Sequence, residues 1–199
     1  MMRIAVLASH TGTILQAVLD ASASGELSAE VVLVISNNSR SRALQRARDA
    51  GVPTAHLSGT THLAPEALDA AMVEALHDAG TDWILLAGYM RKLGPRVLEA
   101  YRNRIVNTHP ALLPSYGGAG FFGRRVHEAV LAAGDTETGA TIHLVDEHYD
   151  SGPILAQVRV PVRPGDDAES LEERVKVAER KLIVATLAEL AQPKAAAGY

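Results

Sequence analysis

An α/β fold with a doubly wound, mostly parallel sheet and an antiparallel edge pair is predicted by three features of the sequence. Short, continuous apolar runs alternate with helical stretches through the first half, as in Ile4–Ala8, Val31–Ile35 and Asp82–Ala87. Unbroken apolar runs suit strands covered on both faces, which parallel sheets require. In the second half two strand-like runs follow one another directly, Thr138–Val145 and Pro153–Val162, with a turn at Asp150-Ser151-Gly152. Neighbouring strands joined without a helix pair antiparallel.

Taken in order, Ile4–Ala8 is a buried strand, and Ser9-His10-Thr11-Gly12-Thr13 is a polar turn before a helix from about Ile14 to Ala23. Val31–Ile35 is the second strand, closed by Ser36-Asn37-Asn38-Ser39. The next helix turns Leu44, Ala47 and Ala50 inward, and Gly51 and Pro53 stop it. Its other face carries Arg40, Arg42, Arg46 and Arg48, read as a solvated charged face. A short strand over Thr54–Leu57 leads to a helix over Pro65–Ala79, with proline first and Gly80 after its end. The strand Asp82–Ala87 runs into Gly88-Tyr89-Met90-Arg91-Lys92-Leu93, and a short helix covers Pro95–Arg102. Ile105 and Val106 open a strand that His109 ends, because Pro110 pushes the residue before it toward extended geometry.

A glycine-rich loop, Ser115–Gly123, carries Phe121 and Phe122, and a helix follows over Arg125–Ala133. The last helix spans Asp167–Leu190, with Asp166 and Glu169 spaced as a capping box. Its core stripe is read as Leu171, Val175, Ala178, Leu182 and Ala185. Residues 1–192 are expected to form one domain, and 193–199 to fray.

Composition narrows the function classes. The 199 residues include 47% hydrophobic ones, and the mean hydropathy is +0.05. Net charge is -4 and pI about 6.0, which argues against nucleic acid as a main partner. No cysteine is present, so disulfides, cysteine–zinc sites and thiol nucleophiles are excluded, in keeping with a cytoplasmic setting. The apolar run after Met1-Met2-Arg3 is only about five residues, too short for a signal peptide or membrane span. The histidines show no His-x-x-x-His spacing, so no metal is expected. No Gly-x-Ser-x-Gly elbow supports a serine hydrolase.

The chemistry-bearing stretch is Asn107-Thr108-His109-Pro110. Strand side chains alternate with period two, so Asn107 and His109 share a face at the end of the strand where α/β sheets bind ligands. Alone, the pair also fits an ordinary strand-end turn. The turn at Gly12 before a helix can hold an anion on backbone N–H groups, but one glycine makes neither a dinucleotide fingerprint nor a Walker loop. Asp150 before Ser-Gly reads first as a turn former.

Their order is more specific than any part. Leu-Ala-Gly-Tyr-Met-Arg, Asn-Thr-His-Pro-Ala-Leu-Leu-Pro, Val-His-Glu-Ala and Val-Asp-Glu-His-Tyr-Asp-Ser-Gly-Pro-Ile follow the first turn. The chain resembles the folate-dependent formyltransferases over nearly its whole length. Within them it is most similar to the branch that formylates glycinamide ribonucleotide in purine synthesis. The resemblance implies a Rossmann-like formyltransferase domain and 10-formyltetrahydrofolate as co-substrate. It implies Asn107, His109 and Asp150 as the catalytic trio, with Asp150 raising the pKa of His109 and a protonated His109 helping Asn107 hold an oxyanion. It implies Met90, Arg91, Leu93 and the stretch Val145, Asp146, Glu147, Tyr149 as folate-pocket walls. Gly12, Thr13, Ile14 and Pro110 match the amine-substrate side, with Lys176 and Glu179 toward phosphate and ribose. Expected partners are therefore a small amine and folate, with neither nucleic acid nor membrane; a homodimer is left open.

Three departures stand out against that family. His10 replaces a glycine, Ile14 replaces an asparagine, and Pro65 stands where many members carry an arginine near the folate tail. A backbone cradle tolerates the first two; a side-chain contact at position 14 does not. The longer loop Gly117–Gly123 is either a lid over the substrate or a surface insertion. A same-fold formyltransferase acting on a different amine in specialised metabolism, or an idle folate-binding protein, are the alternative readings.

Overall fold

The computed structural model describes residues 1–192, so the expectation for 193–199 lies outside the described residues. The first half alternates strand and helix: β1 (Met2–Leu7), α1 (Thr13–Ser24), β2 (Ala29–Ser36), α2 (Arg42–Asp49), β3 (Thr54–His56), α3 (Pro65–Asp78), β4 (Trp83–Leu86) and α4 (Pro95–Ala100). The second half holds β5 (Ile105–His109), α5 (Arg124–Ala133), β6 (Glu137–Leu144), β7 (Ile154–Pro161) and α6 (Ala168–Leu190).

The strands form one seven-stranded sheet in the order β3-β2-β1-β4-β5-β6-β7. Pairs β1–β2, β2–β3, β1–β4 and β4–β5 are parallel, while β5–β6 and β6–β7 are antiparallel. The predicted fold class is therefore the observed one. The continuous apolar runs are explained by the layering. In β1, Ile4 and Val6 enter a core with Leu15, Val18, Leu44, Ile183 and Leu187 on one face. Ala5 and Leu7 enter a second core with Met72, Leu76, Val97 and Ile105 on the other. A smaller third cluster, Val130, Ala140, Val160, Leu171 and Val175, seats α5 and the start of α6 on the antiparallel strands.

Successive strands leave β1 in opposite directions, toward β2 on one side and β4 on the other. Such a switch point opens a crevice beyond the carboxyl ends of the strands. The two chain segments leaving it are tied together there. The Ser9 N–H donates to the Gly88 carbonyl at 3.1 Å, and the Met90 N–H donates to Ser9 Oγ at 2.8 Å.

Four local expectations are corrected. The α6 capping box is formed by Asp167 and Ser170, with Asp167 Oδ1 accepting from the Ser170 N–H at 2.8 Å. Asp166 instead takes the Arg174 guanidinium at 2.7 Å, and this hydrogen bond holds its carboxyl far below the usual carboxylate range. Ala185 is exposed, and Ile183, Val184 and Leu187 are buried in its place. The buried face of α6 rotates because its first turns rest on β6 and β7 and its last turns rest on α1. Ala50 is the exposed C-cap of α2 rather than part of its inward face. The link between β6 and β7 is a loop over 145–153 rather than a three-residue turn. Asp150 sits in it with a left-handed φ of 54°.

Candidate active site

A cleft of about 790 Å³ opens at the switch point. Gly12, Thr13 and Ile14 border it from the start of α1, and Met90, Arg91 and Leu93 from the segment after β4. Asn107, His109 and Pro110 reach it from the end of β5, and Val145, Asp146, Glu147, Tyr149 and Asp150 from the β6–β7 loop. Lys176 and Glu179 complete the wall from α6. Every site residue expected from the sequence therefore lies on one cavity.

Gly12 takes φ 68° as the residue capping α1, and no side chain caps the helix's first N–H groups. A Cβ at position 12 would meet the Cα and Cβ of Ala43 at 2.8 Å, so glycine is required for both conformation and space. The unpaired N–H groups of the first turn, with the positive end of the helix dipole, border the cleft as an anion site.

The trio meets in three dimensions. His109 is 4% exposed. Its Nε2–H donates to the Tyr116 carbonyl at 2.7 Å, since a carbonyl can only accept. Its Nδ1 stands 3.6 Å from Asp150 Oδ2. Asp150 Oδ2 also accepts the Gly118 N–H at 2.9 Å, and Asp150 Oδ1 lies 3.4 Å from Asn107 Nδ2. Burial lowers the pKa of His109 and outweighs the upward pull of Asp150 and of the Tyr116 bond. Asp150 does pull the pKa upward as expected, but the net direction is down, which favours the neutral imidazole. Burial pushes the Asp150 carboxyl up, but His143 and His109, once each carries its second proton, and the Gly118 N–H outweigh it and hold it below the usual range.

Several functional neighbours were not found in the sequence. His143, on β6, donates from Nδ1 to the Leu144 carbonyl at 2.8 Å, leaving Nε2 as an acceptor 3.0 Å from Asn107 Nδ2. Its inward alternation on a strand was the available signal. Tyr116 and Gly118 come from the glycine-rich loop, whose first residues are bonded to the trio rather than standing apart as an insertion. Gly118, Gly120 and Gly123 carry it over the cleft with φ of 91°, 94° and 54°. On α6, Lys176 donates to both Glu172 and Glu173 at 2.9 Å, and these carboxylates overcome burial to raise its pKa. Arg124 of α5 donates to the same Glu172 at 2.9 Å. Beside them His127 lines the cleft with a buried Nδ1 that has no partner among the described residues. Glu179 is buried next to Thr108, and burial raises its pKa.

The formyl transferase family model matches residues 2–187 of this chain. The chain belongs to the formyl transferase family. It is 46% identical over 189 residues to the phosphoribosylglycinamide formyltransferase of Mycobacterium tuberculosis, covering 95% of this chain and 85% of that one. It is 41% identical over 185 residues to the bovine trifunctional purine biosynthetic protein adenosine-3, covering 93% of this chain but only 18% of that protein. Among solved structures, glycinamide ribonucleotide transformylase 1 from Symbiobacterium toebii superimposes with a TM-score of 0.90 at 38% identity, covering 96% of this chain and 88% of that one. Among the described residues no group of three or more His, Asp or Glu side chains is arranged to hold a metal ion, and no helix is long and apolar enough to cross a membrane.

Proposed function

We propose that this formyl transferase moves the formyl group of 10-formyltetrahydrofolate to the primary amine of glycinamide ribonucleotide, a step of purine synthesis, in the cytoplasm. The observation that carries this reading is the meeting of a buried His109, Asp150 and Asn107 on one cleft that is also bordered by a helix N-terminus suited to phosphate.

The folate occupies the wall of Met90, Arg91, Leu93 and Val145–Tyr149. The amine substrate lies along Gly12, Thr13, Ile14 and Pro110, its phosphate on the N–H groups of α1 and toward Lys176, its ribose toward Glu179. The amine nitrogen attacks the formyl carbon, a C–N bond forms, and the carbonyl electron pair becomes an oxyanion. His109 Nδ1, unprotonated in this arrangement and 3.6 Å from Asp150 Oδ2, takes the proton that the nitrogen loses. The imidazolium so formed stands beside the Asp150 carboxylate, which stabilises it by opposite charge. The second N–H of Asn107, held only at 3.4 Å by Asp150, is the donor offered to the oxyanion. One such donor is worth about 3 kcal/mol in the transition state. Collapse breaks the bond to N10, and His109 returns its proton there. Tetrahydrofolate leaves as a neutral amine, and no net proton is gained or lost.

The test is formyl transfer by the purified protein, with His109→Ala as control and a panel of other amines beside glycinamide ribonucleotide. Turnover on glycinamide ribonucleotide that His109→Ala abolishes supports the reading. Preference for another amine, or folate binding without turnover, overturns it. β7 is one of the two edges of the sheet, unpaired on its outer side among the described residues, and exposes Ile154 and Leu155, which supports a homodimer; sedimentation velocity tests that.

A further inference from the structure

The loop over 9–13 is held from behind by the segment that enters and forms α2. The Ser9 carbonyl accepts from Asn38 Nδ2 at 3.3 Å. The His10 carbonyl accepts from the Ala43 N–H at 3.1 Å. The Thr11 carbonyl accepts from Arg46 Nε at 2.9 Å. A trans peptide plane directs its N–H opposite to its carbonyl. Three successive carbonyls bonded toward residues 38–46 therefore turn the N–H groups of His10, Thr11 and Gly12 the other way, away from α2, and all three residues border the cleft.

Arg46 does more than the other two ties. Its second arm donates from Nη1 to Gln16 Oε1 at 2.9 Å, and Gln16 passes the link to Asp20 at 2.8 Å. One guanidinium thus joins the loop, the first turn of α1 and α2. Arg40, Arg42 and Arg48 are exposed, as the charged-face expectation had it, whereas Arg46 is half-buried in this network. It does not itself border the cleft. Its charge lies behind the positive end of α1 and adds to the field that an anion meets there.

We infer that Arg46 is a positioning residue for the phosphate of the amine substrate. It aims the loop's N–H groups and strengthens their field without touching the ligand. This rests on the proposed function, in which that phosphate sits on α1. Two separate nitrogens of one guanidinium span the Thr11 carbonyl and the Gln16 amide, so lysine, with a single nitrogen, should replace the pair only in part.

The test compares glycinamide ribonucleotide with its dephosphorylated riboside in the wild-type enzyme, Arg46→Met and Arg46→Lys. The measured quantity is the ratio of kcat/KM for the two amines, alongside KM for the folate and a thermal melt. Wild type should favour the phosphorylated amine strongly. Arg46→Met should reduce that ratio about tenfold, through KM for the ribonucleotide, as the loss of one charged hydrogen bond predicts. Arg46→Lys should recover part of the loss. KM for the folate and kcat should stay within about twofold. A wild-type ratio near one overturns the phosphate reading and the role of Arg46 with it. A large wild-type ratio that Arg46→Met leaves unchanged overturns the role of Arg46 alone, as does an equal rise in both KM values tracking a fall in Tm.

Discussion

His143 Nε2 stands 3.0 Å from the amide nitrogen of Asn107, and the two residues are direct partners across the antiparallel strands β5 and β6. With His143 Nδ1 donating to the Leu144 carbonyl, the neutral imidazole accepts at Nε2. An acceptor at that point orients the amide: its N–H side faces His143 and Asp150. The second N–H, fixed in the same plane, is the one this arrangement offers to an oxyanion.

Replacing His143 with alanine removes the orientation without removing a group that reacts. kcat should fall by about tenfold, the loss of roughly one hydrogen bond in the transition state. Folate affinity, measured by fluorescence titration, should change little. A drop in affinity as large as the drop in kcat would show that His143 shapes the pocket instead.

With a neutral His109 as base, kcat/KM should be flat at neutral pH and fall on the acid side, below the ordinary histidine range, because burial lowers its pKa. Asp150 pulls that pKa upward. Asp150→Asn should therefore move the acid limb to still lower pH, while the plateau rate falls because the imidazolium loses its counter-charge. A limb that moves upward in Asp150→Asn contradicts this. The pH–rate profiles of both proteins decide it.

Glu179 is buried and its pKa is raised by burial. The folded state then holds a proton at pH values where the unfolded chain has released it, so stability falls as pH rises through that window. Glu179→Gln should raise Tm at neutral pH. The gain should vanish at acid pH, where Glu179 is protonated in both states. Thermal melts across pH test this, and an unchanged gain at acid pH speaks against it.

Asp69 of α3 caps a different helix. Its carboxylate accepts from the Arg96 N–H at 2.8 Å and the Val97 N–H at 3.2 Å, and α4 has no capping side chain of its own. Asp69→Ala should cost about 1–2 kcal/mol in denaturant unfolding, the usual value of a lost helix cap. KM for the folate should rise as well, because α4 anchors the end of the Gly88–Leu93 segment.

Gly12→Ala forces a side chain into a left-handed conformation against the Ala43 backbone. The left-handed geometry alone costs about 1–2 kcal/mol. KM for glycinamide ribonucleotide should rise well before folate binding is affected. Equal KM values for both substrates in the variant and wild type would argue that the loop does not seat the amine.

Much of this molecule was legible along the chain. Continuous apolar runs such as Ile4–Ala8 marked strands with two buried faces, and proline and glycine marked the ends of α3. Those are local rules, written in neighbouring residues. Asn107 and His109 could be paired on one face because a strand alternates. The errors arose where a distant partner outweighed a local pattern. Arg46 looked like one of four solvated arginines until Thr11 and Gln16 were folded against it. Ala185 continued a regular stripe, but α6 changes the surface it packs on.

The protonation of His109 shows the same division most sharply. Its place at a strand end, before Pro110, follows from backbone sterics within a few residues. Its charge does not. Desolvation, the Asp150 carboxylate 3.6 Å away and the Tyr116 carbonyl at 2.7 Å act through space, and only their sum sets which form is present. The chain's order named the candidate groups and the fold; the packed molecule sets the direction in which their pKa values move, because electrostatic and burial energies depend on distance and solvent exclusion rather than on sequence separation.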